Sequence, residues 1–188
     1  MSLVQYLEES AALIAKAATP ERAARVDAAI AAIVAALGAD RPLLVCGNGG
    51  SASDAMHIAG ELVGRFLKER RGLNCIALGA DTATLTAWAN DYDYASVFAR
   101  QVEAYGRAGG VLLGITTSGN SANVLQAAEA AKARGMTVIG LTGEGGGRLA
   151  PLCDILIDTP SRHTPHVQQI HACLYHYICE QAEAALAV

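Results

Sequence analysis

The chain has 188 residues, enough for one full hydrophobic core and short for two compact domains. Apolar residues make up 52% of it and the mean hydropathy is +0.27, high for a soluble monomer. No run reaches the ~18 apolar residues that a membrane span needs, and a net charge of −4 argues against a broad nucleic-acid-binding face.

The chain opens without a basic stretch, and Glu8 and Glu9 follow at once, so the start does not read as an export signal and a cytoplasmic location is expected. Residues 3–17 and 21–37 predict two Ala/Leu/Glu-rich helices, with Pro20 suited to the first turn of the second and Gly38-Ala39-Asp40 closing it. These helices form an arm ahead of the core, and the surplus apolar surface is expected at contacts between subunits, so an oligomer is predicted. Five short apolar runs then follow, at 42–46, 74–78, 110–115, 137–141 and 154–157, each the length of a buried strand. Helical patterns separate them at 52–67, 82–105 and 121–134, with a short one near 147–152, and a long helix is expected over 164–186. The expectation is a single α/β domain over 1–188, with residues 42–186 forming a five-stranded parallel sheet covered on both faces. Cys46, Cys75, Cys153, Cys173 and Cys179 include no C-x-x-C pair, and several lie in apolar runs, so reduced thiols packed as small hydrophobes are expected.

In such a sheet ligands bind at the carboxyl ends of strands where the winding reverses. The loops after the first and third runs are the most unusual parts of the chain. Gly47-Asn48-Gly49-Gly50-Ser51-Ala52-Ser53 lets backbone approach a ligand closely, with Ser51 or Ser53 available as a helix cap, although a tight capped turn would explain it equally. It matches neither a Walker loop nor G-x-G-x-x-G. Thr116-Thr117-Ser118-Gly119-Asn120-Ser121 places four hydroxyls at a helix start, where hydroxyl and amide donors and the helix dipole suit a phosphate monoester. Capping alone needs only one hydroxyl.

Helix 52–67 carries His57 and Glu61 at i, i+4, apart from an apolar stripe of Met56, Ile58, Leu62 and Val63. Such a pair can bind a divalent metal, exchange protons, or simply share a surface hydrogen bond. Four of the five histidines fall at 163, 166, 171 and 176. Helix periodicity leaves open whether Gln168 or Gln169 accompanies His176. Asn90 and Asp91 begin a polar break within 82–105, which loop polarity explains and which can also receive sugar hydroxyls.

Taken together, Gly47–Ser51, Asp54-Ala55-Met56-His57, Glu61, Asn90-Asp91, Thr116–Ser121 and Gln168-x2-His171-x4-His176 resemble the sedoheptulose 7-phosphate isomerases. These phosphoheptose isomerases belong to the sugar isomerase (SIS) domain superfamily. The resemblance runs from about residue 42 to 180. It implies a flavodoxin-like sheet and a homotetramer with active sites at subunit interfaces. It also implies conversion of sedoheptulose 7-phosphate to D-glycero-D-manno-heptose 7-phosphate, the first step of nucleotide-activated heptose biosynthesis, leaving open whether lipopolysaccharide or another glycan takes the product. It implies zinc held by His57, Glu61, Gln168 and His176, which decides for Gln168, and substrate contacts from Asn48, Gly49, Gly50, Ser51, Asn90 and Asp91. Thr116, Thr117, Ser118 and Ser121 would hold the phosphate. Two departures stand out: threonine replaces the serine common at 116, and no aspartate precedes the last helix, which leaves His163 as the candidate ring-opening group.

Moving a carbonyl between C1 and C2 needs a base for the carbon proton and a donor to the oxygen that gains charge. Glu61 and His176 are the expected pair, with Glu61 taking the carbon proton or the roles reversed. A related group that binds the bacterial replication initiator without catalysis lacks this pair. Another sugar-phosphate isomerase would use the hydroxyl loop without the Gln168/His176 helix.

Overall fold

The computed structural model describes residues 1–187. Two helices lead, α1 (Leu3–Ala17) and α2 (Pro20–Gly38). Ser2 caps α1 in a reciprocal box with Gln5, and Thr19 caps α2 just ahead of Pro20. The core then runs β1 (Leu43–Gly47), α3 (Gly50–Val63), β2 (Cys75–Ala77), α4 (Thr82–Asp91), α5 (Val97–Tyr105) and β3 (Val111–Thr116). It continues with α6 (Ala122–Ala133), β4 (Thr137–Thr142), a 3₁₀ turn at Gly147–Leu152, β5 (Ile155–Asp158) and α7 (Thr164–Leu186).

All five strands are parallel, in the order β2-β1-β3-β4-β5. Because the strands are buried on both faces, their residues divide alternately between two cores. Leu43, Val45, Leu113 and Ile115 pack with α2, α3 and α7 through Val26, Ile33, Ile58, Leu62 and Ile178. Leu44, Cys46 and Leu112 pack on the other face with Phe98, Val102, Val124 and Leu125 of α5 and α6. The winding therefore reverses between β1 and β3, and the loops leaving these two strands run to helices on opposite faces. The crevice between those loops is the site this topology provides.

Several expectations need correction. The helix placed over 52–67 begins at Gly50 and stops at Val63, and neither Ser51 nor Ser53 caps it, since Gly49 holds the cap position without a side-chain bond. The early stop has a distant cause. Glu183, on α7, accepts hydrogen bonds from the N–H groups of Phe66, Leu67 and Lys68 at 2.8, 2.6 and 2.8 Å, drawing these residues out of helical register. The apolar stripe on α3 is Ala55, Ile58 and Leu62, whereas Met56 and Val63 are exposed. The segment 82–105 divides into α4 and α5 after Asp91, and the strands shift by a residue at their ends. All five cysteines are free, and burial pushes the Cys46 and Cys179 thiols up to about 12. Among the described residues no helix is long and apolar enough to cross a membrane.

Candidate active site

At the end of β3, Thr116 Oγ1 lies 3.0 Å from Ser121 Oγ and 3.5 Å from Ser118 Oγ. Three of the four expected hydroxyls thus converge at the start of α6, where unpaired N–H groups and the helix dipole favour an anion. Thr117 turns away, its Oγ1 3.4 Å from Thr164 Oγ1 in the first turn of α7. Asn120 shapes the loop: its amide donates to the Ser118 carbonyl at 2.8 Å, and its Oδ1 accepts from the Arg148 N–H at 3.1 Å. Gly119 has φ +68°, and a Cβ there would collide with the Gly146 backbone, so both the turn and the close approach require glycine.

Across the crevice, the Asn48 and Asn123 amides exchange two hydrogen bonds of 2.8 Å each, tying the glycine loop to the first turn of α6. Asn48 Oδ1 also accepts from the Tyr94 hydroxyl at 3.0 Å, which brings the α4–α5 connection to the mouth of the site. Asn90 and Asp91 end α4 in that region, exposed and bonded to each other at 3.0 Å. Neither Asn123 nor Tyr94 was legible as a site residue, because an asparagine near a helix start and a tyrosine in a polar loop have ordinary local explanations. Gly49 and Gly50 face the crevice at the start of α3. Ser51 is buried, packed beneath Gly47. A Cβ on Gly50 would meet the Gln168 carboxamide, so the absent side chain makes room for this glutamine.

About two turns along α3 lies the second cluster. His57 Nε2 is 3.0 Å from Glu61 Oε1. The His176 ring, from α7, stands 4.9 Å from His57, and the ligand-type atoms of His57, Glu61 and His176 all lie within 4.8 Å of one another. Gln168, eight residues before His176 on α7, lies against Gly50 at the start of α3. Two nitrogens and a carboxylate oxygen at this spacing suit a divalent transition metal with an open position for substrate.

Two further groups border the trio. The Tyr175 hydroxyl is 3.2 Å from His57 Nδ1, and Asp54 stands beside Tyr175, its Oδ2 buried without a hydrogen-bond partner. Burial raises the Asp54 carboxyl above the usual carboxylate range, against the opposing pull of Tyr175, His57 and His176. Of the remaining histidines, His171 is fully buried, and this pushes its imidazole down to about 4. His163 is exposed at the head of α7, its ring 4.7 Å from that of His166.

A doubly wound parallel sheet with hydroxyls converging at its switch point is an α/β domain suited to holding an anion there. A family model described as the SIS domain matches residues 5–143, and the chain belongs to that family. It is 56% identical over 148 residues to a phosphoheptose isomerase of Crocosphaera subtropica, covering 79% of this chain and 76% of that protein. Identity is 50% over 185 residues with a phosphoheptose isomerase of Bradyrhizobium, covering 98% and 93%. The solved phosphoheptose isomerase of Neisseria gonorrhoeae superposes with a TM-score of 0.89 at 40% identity, over 97% of both chains.

Proposed function

We propose that this chain converts sedoheptulose 7-phosphate to D-glycero-D-manno-heptose 7-phosphate through an enediol, supplying the heptose from which a nucleotide-activated sugar is made. The chain is an isomerase acting on sugar phosphates, as its relatives are named. The observation that carries the finer reading is the convergence of Glu61 and His176 within one cluster, two turns along the helix that starts at the glycine loop. An open-chain heptose phosphate has its anion and its reacting carbons at opposite ends, and the site likewise separates its anion cradle from its proton-transfer groups.

In this reading the hydroxyls of Thr116, Ser118 and Ser121 hold the phosphate, and that remote binding energy positions C1 and C2. Glu61 takes the proton from carbon and returns it to the neighbouring carbon. His176 donates to the carbonyl oxygen as charge develops there and later recovers the proton. Asn48, Gly49, Gly50, Asn90, Asp91 and Gln168 receive the sugar hydroxyls at the mouth. His57, Glu61 and His176 would also hold a zinc ion; with His176 committed to it through one ring nitrogen, polarisation of the substrate carbonyl by the ion would stand in for the proton from that nitrogen. Gln168, from the same helix as His176, would be the fourth protein ligand. The chain is proposed to act as a homotetramer.

The test is isomerisation of sedoheptulose 7-phosphate by the purified protein, with and without a chelator. Replacing Glu61 by Gln should remove turnover, a loss of at least ~10³-fold, while substrate still binds with near-native affinity. Parallel loss of binding and turnover would show that Glu61 holds the site together rather than moving a proton.

A further inference from the structure

Three observations around His57 have no role in the reaction as described. Its Nδ1 faces the Tyr175 hydroxyl at 3.2 Å; Tyr175 itself is buried; and the neighbouring Asp54 keeps one oxygen, Oδ2, enclosed and unpartnered. Asp54 and His57 stand at i, i+3 on α3, and Tyr175 reaches them from α7 next to His176. A buried carboxylate oxygen without a donor is costly, and a fold that keeps one has a use for the vacant acceptor.

We propose that Tyr175 and Asp54 form the outer layer of the His57–Glu61–His176 cation site, committing His57 to the tautomer that carries its proton on Nδ1. The inference rests on the metal reading given above and assigns new residues to it.

A neutral imidazole has one N–H. With no cation present, the arrangement that satisfies most groups has His57 Nε2–H donating to Glu61 Oε1 at 3.0 Å, and the Tyr175 O–H donating to Nδ1. The Tyr175 hydroxyl, which also lies within reach of the Asp54 carboxyl, then gives its proton to His57 and not to Asp54. A cation bound by Nε2 needs that nitrogen's lone pair, so the imidazole proton must reside on Nδ1. Nδ1–H then donates to the Tyr175 oxygen, and the Tyr175 hydroxyl turns its own proton to another acceptor. Asp54 is the group in place to take it. No proton enters or leaves the relay: one moves from Nε2 to Nδ1 and one hydroxyl rotates. Without Asp54 the tyrosine would keep its proton on Nδ1, favouring the tautomer that cannot bind a cation through Nε2.

The experiment measures zinc itself, by competition with a chromophoric chelator near neutral pH, on the full-length protein. Wild type, Tyr175→Phe, Asp54→Ala and the double variant are compared, with His57→Ala marking the contribution of the site. Tyr175→Phe keeps the buried ring, and circular dichroism with a thermal melt establishes that each variant is folded. The expected result is zinc binding weakened ~10–100-fold in each single variant. The double variant should be no weaker than either, because the two groups act in series. If Tyr175→Phe does not fold, Asp54→Ala alone carries the expected loss. Wild-type affinity in the folded single variants, or losses that multiply in the double variant, overturns the inference and leaves the metal reading standing. Wild-type protein that takes up no zinc, or takes it up as well as His57→Ala does, sinks the metal reading and this inference with it.

Discussion

His171 is one turn of α7 beyond Gln168 and fully buried, and neither ring nitrogen has a well-formed hydrogen-bond partner. Desolvation disfavours the imidazolium and pushes the group down to about 4 from an ordinary value of 6.5, with the Thr142 backbone acting in the opposite sense. The sign for stability follows from proton counts. Between pH 6.5 and 4 the unfolded chain holds a proton here that the folded chain does not. Stability therefore rises with pH across that window and is lost as pH falls through it, by up to ~1.4 kcal/mol per pH unit. Replacing His171 by Phe should flatten the dependence. Urea midpoints of the two proteins, compared from pH 7 down to 4, should fall less in the variant, so that it gains on wild type towards the acid end, and parallel curves would mean that His171 accepts its proton readily in the folded state.

At the scale of elements, the segment between α3 and β2 is held by one buried carboxylate. Glu183 accepts from three backbone N–H groups and pairs with Arg70 at 3.2 Å, with both side chains almost wholly enclosed. Burial works against the charge of Glu183, but the N–H groups of Leu67, Phe66 and Lys68 and the guanidinium of Arg70 outweigh it and hold the carboxyl below its usual range. Arg70 also donates to the Glu61 carbonyl at 2.7 Å, so the same pair braces the helix turn that carries the proposed base. Replacing Glu183 by Ala leaves Arg70 buried and unpaired and should cost about 3 kcal/mol. Hydrogen exchange of the Phe66, Leu67 and Lys68 amides should accelerate along with the fall in thermal midpoint, whereas unchanged exchange would place their protection elsewhere. This clamp also explains what the sequence could not show. The five apolar runs, Pro20 in the first turn of α2 and the two loops are local patterns, and they were readable. The end of α3 depends on a glutamate 116 residues from Leu67, and the Asn48–Asn123 bridge spans 75 residues. Spacing along a helix brings His57 and Glu61 together, but placing His176 beside them required the packing of α7 on α3. The position of Gln168 likewise follows from that packing, through the space Gly50 leaves open.

For the whole molecule, the distribution of apolar surface is the argument for assembly. Leu3, Val4 and Leu7 on α1 are 72%, 63% and 56% exposed, and Met56, Val63 and Leu67 on and after α3 are exposed as well. The arm is nonetheless anchored to the core: the Gln169 amide donates to the Tyr6 hydroxyl at 2.9 Å, and Tyr6 packs on the His166 ring at 5.4 Å. An ordered helix, fixed by one face and showing leucines on the other, is a surface suited to a second copy of the chain, because isolated subunits seldom leave such a stripe in water. The proposed homotetramer should then be the species that sediments at micromolar concentration. Replacing Leu3 and Leu7 together by Glu puts like charges on a self-complementary contact and should yield a smaller species with unchanged circular dichroism. Isomerase activity should fall with it by tenfold or more if the site draws a group from a neighbouring chain. A wild type that sediments as a monomer would leave the exposed leucines unexplained by assembly, and a dissociated variant with full activity would show that one chain completes the site alone.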